Sequence, residues 1–479
     1  MSPADAAILT LYSLTLAVLA VYSVHRFYLV RLRRRHAAPR PSPPAPTRWP
    51  SVTVQLPLFN EPNVAARLID AVAALRYEGR LDIQVLDDST DETSAIVAAA
   101  CAHRENIRHI RRAAREGYKA GALAHGMSLS DAELFAVFDA DFVPPPDILA
   151  RMVPHFARGV GMVQARWEHL NREASLLTRV QAIYLDAHFA IESAARNFGG
   201  RFFNFNGTAG IWRREAIEEA GGWSSSTLTE DLDLSYRAQL AGWRFVFLPD
   251  VTVPAELPDA ISGFQEQQHR WAKGSIQTAR KMLPRIVRAA LPAATRAEAF
   301  FHLTNNACYL LTFILSLLIV PAIVIRQRLG VGWTLLFDLL MFAASTGSVV
   351  LFYIEGQRFA GRPRPRVREL LCVVPIGIGM SLRNATAVIE GLFERGGHFR
   401  RTPKRGASAG PIGDRVPRLP WGELVMAGFF VAACTVFLAA RQWVSIPFLW
   451  LFLGGFGYVA AHGLDERRKY RELKQLPSD

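Results

Sequence analysis

Five stretches of this chain carry no charged side chain: residues 7–24, 303–325, 339–354, 424–440 and 443–461. The third reaches back to 332 only by including Asp338. An apolar helix of about 20 residues crosses a bilayer, because its backbone polar groups are all paired internally. Any fold therefore has to combine membrane spans with the long polar segment between the first and second runs. The first run is followed by HRFYLVRLRRRHAAPR and by no small-residue cleavage site, so it reads as a signal anchor with a cytoplasmic stop. Five spans with the amino terminus outside put the polar segment, the Arg-rich loop at 358–368 and the basic tail all in the cytoplasm. Parity and positive charge agree. The uncharged run 370–382 is too short to cross and reads as an interfacial helix.

The net charge of +13 invites a nucleic-acid partner. Most of the arginines, however, flank the apolar runs, at 26–40, 358–368, 395–405 and 467–474, where anionic lipid headgroups attract them. No nucleic-acid recognition motif accompanies them. Cys101, Cys308, Cys372 and Cys434 form no CxxC pair, which argues against a zinc site or a disulfide framework and suits a reducing compartment.

PRPSPPAPTRWP makes a semi-rigid linker after the first span. Three regions follow: 1–49 as anchor and linker, 50–295 as a cytoplasmic domain with an interfacial helix, and 296–479 as the membrane part. In 50–295, strand-like runs (SVTVQLPLF, LDIQVLDD, NIRHIRR) alternate with helical ones, which predicts an α/β fold with a mainly parallel sheet. No G-x-G-x-x-G follows the first strand, so a dinucleotide fold of the usual kind is disfavoured. LFAVF ends in Asp139-Ala140-Asp141 and runs into three prolines, which halt a strand. Open α/β sheets bind ligands beyond such strand ends, and two carboxylates there suit Mg²⁺ or Mn²⁺ bridging a diphosphate. Asp87 and Asp88 close the second strand, either to accept hydrogen bonds from a nucleobase or ribose or to cap the next helix. In REGYKAGAL, Lys119 offers a point charge between two glycines.

Two motifs lie further on. Thr229-Glu230-Asp231 stands at the start of a helical run, where acids also complement the helix dipole. Gln267, Arg270, Trp271 and Gly274 share one face of a helix predicted over about 263–286. Arg270 suits a diphosphate oxygen and Trp271 the flat face of a pyranose, although an interfacial helix also carries such residues.

LDDSTDET, GYKAGAL, VFDAD, TLTEDLDLSYR and QQHRW follow one another in the order and spacing of the membrane-bound family 2 inverting glycosyltransferases. The series resembles cellulose synthases, and VQARWEHLNREASLLTRVQAI with FFNFNGTAGIWRR is most similar to the cellulose-synthase-like mannan and glucan synthases. The resemblance implies a nucleotide-diphospho-sugar transferase (GT-A type) domain fused to transmembrane helices. It implies processive transfer of mannose or glucose from GDP-mannose or UDP-glucose to a growing β-glycan, with translocation. The rival reading is a single transfer to a lipid such as a polyprenyl phosphate or ceramide. Carried over residue by residue, Asp88 and Lys119 bind the nucleotide, with Asp87 and Glu230 counted among the substrate-binding residues. Asp139 and Asp141 hold the metal, Asp231 is the base, and Gln267, Arg270 and Trp271 hold the acceptor end and the pyrophosphate. Asp231 is then expected to be ionised near neutral pH, as an exposed or cation-flanked carboxylate would be. Phe399-Arg400-Arg401-Thr402-Pro403-Lys404 resembles the family's FxVTxK gating loop, with Arg401 in place of Val. Membrane lipids and accessory secretion subunits complete the expected partners. The short tail after 462 has no room for the cyclic-dinucleotide-sensing barrel that many bacterial cellulose synthases carry.

Overall fold

The computed structural model describes residues 1–36, 43–330, 334–394, 396–397, 406 and 416–475. The gating-like segment 399–404 therefore lies outside the described residues. Seven strands form one sheet: β1 (Val52–Leu58), β2 (Leu81–Asp87), β3 (Ile107–Arg111), β4 (Leu134–Val137), β5 (Val160–His169), β6 (Gly210–Arg213) and β7 (Arg244–Ala255). Their order is β3-β2-β1-β4-β6-β5-β7. β1, β2, β3 and β4 run parallel, β6 runs against both β4 and β5, and β5 pairs parallel with β7. One reversed strand in seven satisfies the expectation of a mainly parallel sheet.

The strands form where β-branched and aromatic residues cluster, and β4 (LFAV) is buried on both faces. One core joins Val54, Leu56, Val85 and Ile211 to the helix Ala65–Ala73. A second joins Phe135, Val137 and Trp212 to Leu123 and Leu234 of the helices Tyr118–Ser128 and Glu230–Leu240. β4 stops at Val137, two residues before Asp139. Both aspartates thus sit in the loop beyond the strand, and Phe142 then bridges to Ala255 before the prolines.

Among the described residues, five helices are long and apolar enough to cross a membrane: Pro3–Arg35, Ala307–Arg328, Leu339–Phe359, Trp421–Ala439 and Trp443–Glu472. The run 370–382 is not one short helix. It straddles the junction of Val367–Gly379 and Ser381–Phe393, a pair bent by 45° that would bring the total to six if it counts as one span. A Cβ on Gly379 would lie 2.2 Å from the Gly455 carbonyl, so this junction touches the last span backbone to backbone. The length argument missed this arrangement because it treats each apolar run as an isolated cylinder.

The sheet domain and the long apolar helices share a core. Leu177, Val180 and Ile183 meet Ile261 and Phe264 of the helix Ile261–Arg288, and both meet Val373, Ile376 and Val459. The expected boundary at 295/296 falls inside the helix Ala293–Thr304, and the next helix starts only at Ala307.

Candidate active site

The parallel strands end at one edge of the sheet, and the loops there line a cavity. Its walls include Asp88, Lys119, Asp139, Asp141, Glu230, Asp231, Gln267, Arg270 and Trp271. Nine of the ten residues singled out from sequence thus converge, although up to 183 positions separate them. Asp87 does not. Its carboxylate is 1 % exposed and turned inward, accepting from Ser89 N at 2.8 Å, Ser94 Oγ at 2.7 Å and His109 Nε2 at 2.9 Å. Asp87 ties β2 to β3 and to the following turn; it does not cap the next helix, whose N-cap is Glu92 with no side-chain cap bond.

Asp88 faces the cavity and is held by Arg112, whose Nε donates to Oδ1 at 2.9 Å, with Arg115 Nε 4.0 Å from Oδ2. The Arg115 guanidinium lies 3.4 Å from the centre of the Phe59 ring, giving the cavity a flat cationic and aromatic wall. Arg112, Arg115 and Phe59 were missed from sequence. The signal for the two arginines was the cluster of arginines at the end of β3; Phe59, just after β1, had none.

Lys119 bridges the two halves of the site. Its Nζ pairs with Asp139 Oδ1, donates to the Gly207 carbonyl at 2.8 Å and lies 4.0 Å from Glu230 Oε1. Burial opposes the charge on Lys119, but Asp139 and Glu230 more than offset this and raise its pKa. Asp139 is raised by burial and by the neighbouring Asp141, against the pull of Lys119. Two neighbouring carboxylates with hard oxygen donors are residues that could hold a divalent cation. Among the described residues no group of three or more His, Cys, Asp or Glu could hold a metal ion. The other ligands would therefore come from a diphosphate and water. The Asp139 amide donates to Thr208 Oγ1 at 2.9 Å, which fixes the loop.

Asp231 starts the helix Glu230–Leu240, and its Oδ1 accepts from the Leu232 amide at 2.8 Å. It is not the freely exposed or cation-dominated carboxylate expected. Enclosure by protein, reinforced by the adjacent Glu230, pushes its pKa up to about 7 despite Lys119. A group of that pKa is poised to take a proton at neutral pH. Gly207 (φ 82°) makes this possible: a Cβ there would sit 2.9 Å from Asp231 Oδ2.

A second cavity of 420 Å³ shares Trp167, Asn206, Thr229, Asp231, Gln267 and Trp271 with the first. That volume lies within the range of about 300–1,000 Å³ usual for small-molecule sites. The rings of Trp167 and Trp271 stand 6.4 Å apart where the two cavities meet. His188, in a π-helical turn His188–Ser193, bonds Asn206 Oδ1 at 3.1 Å. Neither Trp167 nor His188 was singled out from sequence, because nothing local marks a residue that faces a cavity built by other segments. Beyond Arg26, Cys308 and Thr312 a third, mostly apolar cavity of 200 Å³ continues between the membrane helices.

Comparison with known proteins agrees with this geometry. Residues 50–274 match the glycosyltransferase like family 2. Glucomannan 4-beta-mannosyltransferase 2 of Arabidopsis thaliana is 35% identical over 452 residues, covering 87% of this chain and 82% of that protein. Glucomannan 4-beta-mannosyltransferase 1 of Oryza sativa subsp. japonica is 43% identical over 289 residues, 57% of this chain, and this match spans only 56% of the rice protein. The mannosyltransferase PcManGT from Pyrobaculum calidifontis, solved with GDP-Man and Mn²⁺, superposes with a TM-score of 0.54 at 19% identity, over 81% of this chain and 99% of that one. That likeness bears on the fold alone. The carboxylate series, the sheet and the extent of the Arabidopsis match lead to one conclusion: the chain belongs to the family 2 glycosyltransferases.

Proposed function

We propose that the chain is a processive inverting hexosyltransferase that moves mannose from a nucleotide diphosphate sugar onto a growing β-glycan and feeds the product between its membrane helices. The observation that carries this reading is a series of three neighbouring cavities with shared walls: Asp231 and Trp271 line the first and second, and Arg26 lines the second and the third, which lies in the helix bundle. A polar chain in hydrocarbon leaves its hydroxyls unpaired at high cost, so a polymerase needs a protein-lined path. The names of the plant relatives favour mannose over glucose as the sugar.

Asp88 and Arg115 meet the nucleobase and ribose, and Lys119 and Arg270 meet the diphosphate. Asp139 and Asp141 hold Mg²⁺ or Mn²⁺, which when bound neutralises charge on the leaving diphosphate. Trp271 and Trp167 stack against the acceptor terminus. Asp231 takes the proton of the acceptor hydroxyl as its oxygen bonds to the anomeric carbon and the bond to the diphosphate breaks. One in-line displacement inverts an α-linked donor into a β-linkage, and no covalent intermediate is needed. The catalytic domain lies on the cytoplasmic side, where the arginines flank the spans.

The test incubates membranes holding the full chain with labelled GDP-mannose or UDP-glucose and Mn²⁺, then sizes the product. High-mass β-mannan from GDP-mannose is expected. The apolar third cavity also suits a lipid tail, and a single-sugar product extractable into organic solvent would replace the polymer reading with transfer to a lipid.

A further inference from the structure

Gln277 lies six residues beyond Trp271 on the helix Ile261–Arg288 and is 4% exposed. Its Oε1 accepts from the Leu228 amide at 3.0 Å, and its Nε2 donates to the Gly396 carbonyl at 2.6 Å. An amide N–H only donates and a carbonyl only accepts, so these two partners fix which way the carboxamide points. Leu228 immediately precedes Thr229-Glu230-Asp231, and both Leu228 and Thr229 line the first cavity.

Neighbours on the same helix reinforce the grip. Thr278 Oγ1 lies 3.2 Å from Thr229 Oγ1, and Gly274 leaves room for Thr229, since a Cβ there would stand 2.5 Å from its Cγ2. On the far side, Arg280 Nη1 donates to the carbonyls of Gly391 and Glu394, both at 3.1 Å. Lys273 Nζ pairs with Glu390 at 2.9 Å and with Glu394. The helix that carries Trp271 thus holds the entry to the catalytic turn with one edge and the end of the Ser381–Phe393 helix with the other. Gln277 bonds the Leu228 amide at that entry and the Gly396 carbonyl, three residues beyond the helix end at Phe393.

We propose that Gln277 is a positioning residue for the transfer reaction. It acts through Asp231 by fixing the backbone three residues upstream, and it ties that backbone to Gly396, where the chain enters its basic segment 398–405. The proposal rests on the reading of Asp231 as the base. A lost partner leaves the partly buried Leu228 amide without its Gln277 acceptor, and the turn shifts to find another. A shift of about 1 Å at a reacting group lowers turnover by about 10²-fold.

Two variants separate positioning from mere stability. Gln277→Met keeps the volume and loses both bonds, whereas Gln277→Glu keeps the acceptor for Leu228 and loses the donor for Gly396. Hydrogen exchange of the full chain in detergent should speed up at Leu228 in Gln277→Met and stay at the wild-type rate there in Gln277→Glu, with β1 and β4 unchanged in both. With GDP-mannose and Mn²⁺, kcat should fall about 10–100-fold in Gln277→Met at a donor KM within about twofold, and less in Gln277→Glu. Wild-type exchange at Leu228 in Gln277→Met would overturn the proposal. So would a loss of kcat and donor affinity in step with exchange across the whole sheet, which marks a structural role. Failure of the wild-type chain to transfer from GDP-mannose or UDP-glucose would sink the proposed function instead, and the exchange pattern would still decide the clamp.

Discussion

Two groups of enclosed charges lie side by side in this protein and behave in opposite ways. In the first cavity Asp139, Asp141, Glu230 and Asp231 outnumber Lys119 and Arg270, and enclosure pushes the Asp139 and Asp231 carboxyls up. Behind it, Arg196 lies between Glu192 at 3.5 Å and Glu298 at 2.9 Å, while His188 meets the same Glu192 oxygen at 3.0 Å and His25 holds the other Glu298 oxygen at 2.8 Å. Asp186 is likewise met by His169 at 3.1 Å and by Arg172 at 2.6 Å. Burial alone would raise these acids, but Arg196 and His188 hold Glu192 well below the carboxylate range, and His169 and Arg172 do the same for Asp186. The same residue type, similarly enclosed, is held down where cations crowd it and pushed up where acids outnumber them. In the proposed reading, a cation and a diphosphate sugar would act on that excess of acids.

Removing the metal should have the largest effect. EDTA should abolish transfer, and Asp141→Ala should weaken nucleotide binding as well as rate. Undiminished turnover in EDTA would mean that the carboxylates of the first cavity serve some other purpose.

The group crowded by cations should fail the other way. Arg196→Met strands Glu192 and Glu298, and breaking a buried pair in this manner costs about 3–5 kcal/mol. Thermal or denaturant unfolding in detergent should register that loss, with nucleotide affinity per folded molecule unchanged. Unaltered stability would show that Glu192 and Glu298 find other partners.

A gentler probe is pH. Transfer should fall about tenfold per unit below pH 7, because only the ionised Asp231 accepts a proton. The fold should not follow. Carboxyls held below their unfolded values contribute stability that is present above those values and is lost as pH falls through them, here below about pH 4. Coincident loss of activity and structure between pH 7 and 5 would erase the distinction between the two groups.

Much of this was legible in the sequence. LFAVF followed by DAD located the central strand and its ligand edge, because strand propensity acts locally; the prolines at 144–146 lie seven or more residues beyond the strand's end at Val137. The motif series assembled nine of its ten residues in one cavity, because each motif sits on a loop that the sheet order brings to one edge. Asp87 misled because a carboxylate at a strand end serves a base or a backbone turn equally well, and only His109 and Ser94 decide which. The raised pKa of Asp231 was illegible, since it depends on enclosure by Gly207 and on the neighbouring Glu230. The bent pair at 367–393 was missed because apolar length is scored one run at a time, while Gly379 and Gly455 act across two helices.

The central claim is that Asp231 is the base and not a binding residue. Asp231→Asn keeps its size and cannot take a proton. Single-turnover transfer should fall about 10²–10⁴-fold, with Mn²⁺-dependent nucleotide affinity and the thermal midpoint retained. Collapse of nucleotide affinity with single-turnover chemistry intact would contradict the account.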